Sequence, residues 1–205
     1  MTRRVDTRLR GFTSGIVVHL TPPPDFAASP LAGLLAFVDD NAPPPVDSWH
    51  PAHAGQIDIR IAADGRWFHE GGEIRRPAMV RLFSRVLRRE GDGRHVLVTP
   101  AERLDIVVDD AAFVAIELRQ DQIGGQPCLI FRLNTDSVIV AGPDHPLIIR
   151  DGPAGRLPYL HVSGPLDRPL QARLARPVYY ALADLADADG CVASMGDRFA
   201  IGDVA

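Results

Sequence analysis

His50 and His53 are spaced three apart, the interval that sets two imidazoles on one helical face and within reach of one metal ion. Pro51 between them makes a helix there a poor expectation, and no Cys-x-x-Cys pair or His-Glu-x-x-His pattern completes a ligand set. Asp109-Asp110 could supply acid–base chemistry or hold magnesium, and with His145 would make a metal-assisted hydrolase. Two acids between strands read more simply as a solvated turn. No Gly-x-Ser-x-Gly elbow presents a nucleophile, and Gly124-Gly125 before Gln126-Pro127 reads as a hairpin turn rather than a phosphate cradle. Lysine is absent, which excludes Schiff-base chemistry and a P-loop.

Arginine therefore carries all of the fixed positive charge. Arg75 and Arg76 stand at the expected N-terminus of a helix, where unpaired N–H groups already favour an anion. They would either bind a phosphate or carboxylate or cap the helix and bridge to neighbouring structure. The chain as a whole gives no electrostatic footprint for extended nucleic acid or an anionic membrane, with a formal net charge of −4. No window approaches the roughly 18 apolar residues of a membrane span. The run Gly15 to Leu20 behind Arg3-Arg4 is too short to export a protein. Two cysteines among apolar or small neighbours, Cys128 and Cys191, fit a reducing compartment, so the cytoplasm is expected.

The elements that must position these residues fall into two units. Residues 1–45 read as a loose tail, a short helix carrying Leu31, Leu34, Leu35 and Val38, and a proline-rich linker, with Trp49 as an anchor just beyond. The first unit, 46–120, opens with the alternating Ile57, Ile59 and Ile61, turns at Asp64-Gly65 and returns through Arg66 to His69. Gly71-Gly72 breaks that strand, and Arg76-Pro77 opens a helix. Met79, Leu82, Phe83, Val86 and Leu87 line one face of it, and Asp92-Gly93 closes it. His95 to Val98, Leu104 to Val108 and Phe113 to Leu118 follow as an antiparallel meander.

The second unit, 121–205, has strands at Cys128 to Leu133, Val138 to Val140, Leu147 to Ile149 and Tyr159 to Val162. Leu170, Leu174, Val178, Leu182 and Leu185 predict a second helix that Pro177 kinks or restarts. Short strands at Val192 and at Phe199 to Ile201 finish it. Arg76-Pro77 matches Arg168-Pro169, and Arg81-Leu82 matches Arg173-Leu174, both at an offset of 92 residues (169 − 77 and 173 − 81). The shared order suggests a duplication. The fold class expected is α+β, two repeated units of mainly antiparallel strands packed on a helix.

From Pro44 onward the sequence resembles a bacterial family of uncharacterised proteins, domain-of-unknown-function family 1285. The resemblance rests on Pro45-Val46-Asp47-Ser48-Trp49 with Pro51, Asp64-Gly65-x-Trp67-Phe68, Ile74-x-Arg76 and Val80-Arg81-Leu82-Phe83. It continues through Leu97-Val98-Thr99-Pro100-x-Glu102, Ile106-x-Val108-Asp109-Asp110, Asn134, Asp144-His145-Pro146, Pro158-Tyr159 and Arg176-Pro177-Val178-Tyr179. One departure is that Ser163 follows Val162 where the family has an arginine, and Gly164 to Pro169 lengthen the link. The resemblance implies a duplicated core, a second unit loosely like a pleckstrin-homology fold, and a role in signal transduction. It also implies a cleft between the units that takes a nucleotide-like ligand.

Together these readings predict a non-catalytic ligand-binding or regulatory module, with no cofactor named. Trp67 and Tyr159 would wall a planar ligand, Arg76 would pair with its anionic group, and Thr99, Glu102, Asn134 and Asp136 would supply polar contacts. The rival expectations are an adaptor that binds a signalling protein without a small ligand, and the metal-assisted hydrolase.

Overall fold

The computed structural model describes residues 44–202; of the tail, short helix and proline-rich linker expected over 1–45, all but residues 44 and 45 lie outside them. After a 3₁₀ turn at Val46–Ser48, the first sheet is built from β1 (His53–Ile61), β2 (Trp67–His69), β3 (Gly72–Glu73), β4 (Leu87–Arg89), β5 (His95–Val98) and β6 (Glu102–Val108). Helix α1 (Pro77–Arg85) lies between β3 and β4. The second sheet comprises β7 (Phe113–Ile123), β8 (Gln126–Leu133), β9 (Val138–Val140), β10 (Leu147–Gly152), β11 (Gly155–Ser163) and β12 (Leu170–Leu174). Helix α2 (Arg176–Ala183) and a hairpin of β13 (Cys191–Ser194) and β14 (Asp197–Ala200) follow.

The two sheets have the same topology. Their strand orders are β3-β2-β1-β6-β5-β4 and β10-β11-β12-β7-β8-β9. In each, two three-stranded meanders lie side by side, and the first strand of the six pairs in parallel with the last: β1 with β6, and β7 with β12. This likeness supports a duplicated unit, and the protein is mostly β.

The register of the expected repeat is different, however. Arg168-Pro169 precedes a strand, not a helix, and the second helix is opened by Arg176-Pro177. The helix follows the third strand in the first unit but the sixth strand in the second. Leu170 to Leu174 form β12 because Pro177 has no N–H with which to continue a helix from the preceding turn. Leu170, Ala172 and Leu174 then point inward at the period of a strand.

Helix α1 is also shorter than its apolar spacing suggests. It stops at Arg85; Val86 is buried as the C-cap turn residue, and the backbone becomes extended at Leu87, which is buried and pairs with Leu97. Both a helix and a strand would bury these side chains, so periodicity alone could not place the end. Asp92-Gly93 closes the β4–β5 hairpin instead of the helix: Gly93 adopts φ +89° and donates to the Glu90 carbonyl, while Asp92 Oδ1 accepts from the Arg94 amide.

The other turns form as their residues dictate. Gly65 (φ +85°) turns β1 into β2, and Gly124 and Gly125, both at positive φ, join β7 to β8. Phe113 to Leu118, expected as the last strand of the first meander, pairs with β8 and β12 in the second sheet. The change of sheet falls between Val108 and Phe113, so the boundary expected after residue 120 lies inside β7. A connected apolar core runs through both units, from Ile59, Trp67, Phe83 and Leu97 to Phe131, Leu133, Leu160 and Leu182, with Trp49 packed against it.

Candidate functional site

The linker between the sheets places Asp109 and Asp110 in different surroundings. Asp109 accepts from Arg60 Nε of β1 at 2.9 Å, and that hydrogen bond, aided by the guanidinium charge, holds its carboxyl below the usual carboxylate range. The Asp110 carboxylate is 2% exposed and faces the second sheet. It accepts from Tyr159 Oη at 2.8 Å and Arg150 at 3.0 Å, with the Arg173 guanidinium 3.7 Å away. Arg150 also lies 3.6 Å over the Tyr159 ring. Burial, then the bond to Asp110, pushes the phenol up to about 12. Arg173 donates in turn to the Ala63 carbonyl of the first unit, so this cluster joins the two halves.

Of the residues expected to form the site, Tyr159 is thus fully buried in an ionic knot. Thr99 is 3% exposed, and its hydroxyl closes the β5–β6 turn by accepting from the Glu102 amide at 3.1 Å. Glu102 stands beside His53 in register, its carboxyl raised by burial. Arg76 is exposed at the N-cap of α1.

Trp67 and Asn134 come together at one hollow, and Asp136 is linked to it through Arg81. This space of about 450 Å³ is walled by Trp67, Ile74, Pro77, Val80 and Asn134. Trp67 stacks on Phe83 with centroids 6.0 Å apart. Asn134 bridges the units, donating to the Gly65 carbonyl at 3.0 Å and accepting from the Val114 amide at 3.0 Å. Each arginine at the hollow already has an acid: Arg66 with Asp64, Arg75 with Glu73, and Arg81 with Asp136 at 3.0 Å.

A larger cleft, about 490 Å³, opens elsewhere between the units. The end of α1 and β4 form one side, and the β11–β12 link with Phe113 and Ile139 forms the other. Residues 44–48 lie across it. Four guanidinium-bearing residues, Arg85, Arg88, Arg89 and Arg168, line the cleft against one carboxylate, Asp47. Arg88 is 6% exposed, pairs with Glu90 at 2.6 Å and donates to the Val46 and Trp49 carbonyls at 2.7 and 2.8 Å. Arg168 pairs with Asp47 at 3.0 Å, and Arg89 reaches the Gly93 carbonyl at 3.4 Å. Arg88 and Arg168 are thus each paired with an acid, whereas Arg89 is held by a backbone carbonyl. The sequence signal for this cleft was the string of arginines on and after α1; the missing piece was that β4 carries Arg88 and Arg89.

Two adjoining family models cover the described chain. Residues 44–111 match the N-terminal domain of unknown function DUF1285, and 112–201 match the C-terminal domain of the DUF1285 proteins of unknown function. The models meet where the sheets change. A DUF1285 family protein from Silicibacter pomeroyi DSS-3, solved at 2.50 Å, is similar with a TM-score of 0.72 and 39% identity over 83% of this chain and 95% of that one. Another from Shewanella baltica OS155, solved at 1.40 Å, has a TM-score of 0.47 and 22% identity over 62% of this chain and 90% of that one. No curated protein matches. By both family models and the Silicibacter likeness, the chain belongs to the DUF1285 family.

Proposed function

We propose that this protein is a non-catalytic regulatory module that binds an anionic, nucleotide-like small molecule in the cleft between its two units. The observation that carries this reading is the local charge: a chain with net charge −4 brings Arg85, Arg88, Arg89 and Arg168 to one partly apolar cleft, where Arg168 has only the half-exposed Asp47 and Arg89 is held by the Gly93 carbonyl rather than by an acid. Low-dielectric walls strengthen such a field at short range. The hollow at Trp67 is the weaker site because its arginines are already matched by Asp64, Glu73 and Asp136.

Three further features support the reading. Asp109 and Asp110, the acids that a metal-assisted hydrolase would use, are each held by arginine, and His145 Nδ1 lies 3.2 Å from the His161 carbonyl. Six strands followed by helix α2 give the second unit an order compatible with a loose pleckstrin-homology likeness. Cys128 and Cys191 are free thiols, which suits the reducing cytoplasm. The test is thermal unfolding against a panel of nucleotides and simple anions. A ligand at a hundred times its Kd stabilises the native state by about 2.7 kcal/mol, a readable shift. The shift should be lost in Arg89→Ala. A flat panel would favour the protein-binding adaptor.

A further inference from the structure

The cleft contains two kinds of arginine contact, and the difference bears on what enters it. Arg88 and Glu90 form a sheltered pair, their side chains 7% and 18% exposed, and Arg88 also ties down the Val46 and Trp49 carbonyls. These bonds fix the segment over residues 46–49. The pair between Arg168 and Asp47 is looser: Asp47 is 46% exposed, and the other bond of Arg168, to the Arg89 carbonyl, is 3.4 Å long. A half-exposed ion pair in reach of solvent is weak and exchangeable. Asp47 therefore sets a carboxylate at the mouth of the cleft where an incoming anion would seat.

The remaining walls are mainly apolar: Leu87, Phe113 and Leu170 are buried, and Ile139 and Val162 lie beside them. Of the serines that also line the cleft, Ser48 and Ser84 donate to the Pro45 and Arg81 carbonyls and Ser137 accepts from Thr135, so their hydroxyls are already engaged. A polyhydroxylated body would find few partners on them, whereas an alkyl or aryl body would leave water for contact with hydrocarbon. Resting on the reading of this cleft as an anion site, we infer that its ligand is a free amphiphilic anion. Its phosphate or carboxylate head takes the place of Asp47 on Arg168, and its apolar body lies against Leu87, Phe113, Ile139, Val162 and Leu170. Asp47 is then a built-in competitor that sets the affinity.

Calorimetric titration of the full chain with octyl phosphate, inorganic phosphate and AMP tests this. Octyl phosphate should bind at least ~10-fold more tightly than inorganic phosphate, since each buried methylene adds about fourfold. Asp47→Asn should tighten octyl phosphate binding several-fold. Equal affinity for octyl and inorganic phosphate would overturn the inference, and the unaltered chain alone suffices for that comparison. Unchanged or weaker binding in folded Asp47→Asn would overturn it as well. Binding of AMP without octyl phosphate would do so while leaving the anion-binding reading intact; silence from all three would remove both. Cosedimentation with phosphatidylglycerol vesicles would place the anion in a membrane surface and contradict the choice of a free molecule.

Discussion

Asp109 and Asp110 are adjacent in the chain, yet Arg60 of the first sheet holds one and Arg150 and Tyr159 of the second hold the other. Read as a pair of acids they suggested a turn or a metal site; their actual division is visible only when the long-range partners are in place. The energetic weight lies with Asp110, which is the buried member. Removing one partner of a buried ionic cluster leaves uncompensated charge and costs about 3–5 kcal/mol. Asp110→Asn should show a loss of that order in urea unfolding, whereas Arg66→Ala, at an exposed pair, should change stability by less than about 1 kcal/mol.

His95 gives a pH prediction at the same scale. Burial, with Arg89 and Arg150 nearby, lowers its imidazole to about 4, below the ordinary 6.5 that the unfolded chain retains. Between those values the unfolded state binds more protons, so stability falls as the pH drops from 6.5 to 4. The lowered carboxyls of Asp64, Asp92, Asp109 and Asp187 contribute stability that is lost only at still lower pH, below their ordinary range. A pH series of unfolding midpoints should therefore decline across 6.5 to 4, and His95→Gln should flatten that decline. An unchanged slope in the variant would assign it to other groups.

At the scale of elements, what could be read in the sequence was what local physics decides. Ile57, Ile59 and Ile61 alternate and form β1, Asp64-Gly65 makes a turn, and Gly124-Gly125 makes another. Misreadings arose where burial in the assembled core served two periodicities at once, as at Val86-Leu87 and at Leu170 to Leu174. The helix-opening Arg-Pro pair was the right signal, but the second copy is Arg176-Pro177. Gly65 shows how a turn also becomes an interface. A Cβ there would lie 2.7 Å from Asn134 Nδ2 and 2.8 Å from Val114 Cγ2, in addition to requiring φ +85°. Gly155, at φ +101°, has nothing within 4 Å of its added Cβ. Both alanine variants should be destabilised by about 1 kcal/mol or more through backbone strain. Gly65→Ala should lose clearly more in urea unfolding, and equal losses would show that the contact with the second unit yields freely.

At the scale of the molecule, the two sheets repeat one topology but share one core and one buried ionic cluster. The chain should unfold in a single transition, with Trp49 and Trp67 fluorescence, both from the first unit, coinciding with far-ultraviolet circular dichroism from the whole. The duplication could be suspected from sequence because similar elements recur; the cleft could not, because Arg89 and Arg168 are 79 residues apart and meet only once β4 faces the β11–β12 link. Trp67 and Asn134 did prove to be neighbours across the units, at the smaller hollow, while Arg76, Thr99, Glu102 and Tyr159 lie at other places. The most direct measurement is thermal unfolding of the unaltered chain and Arg89→Ala against nucleotides and simple anions, at low and high salt. The account predicts a selective upward shift that shrinks with salt and vanishes in the variant. A shift that survives in Arg89→Ala, or no shift with any anion, would contradict it.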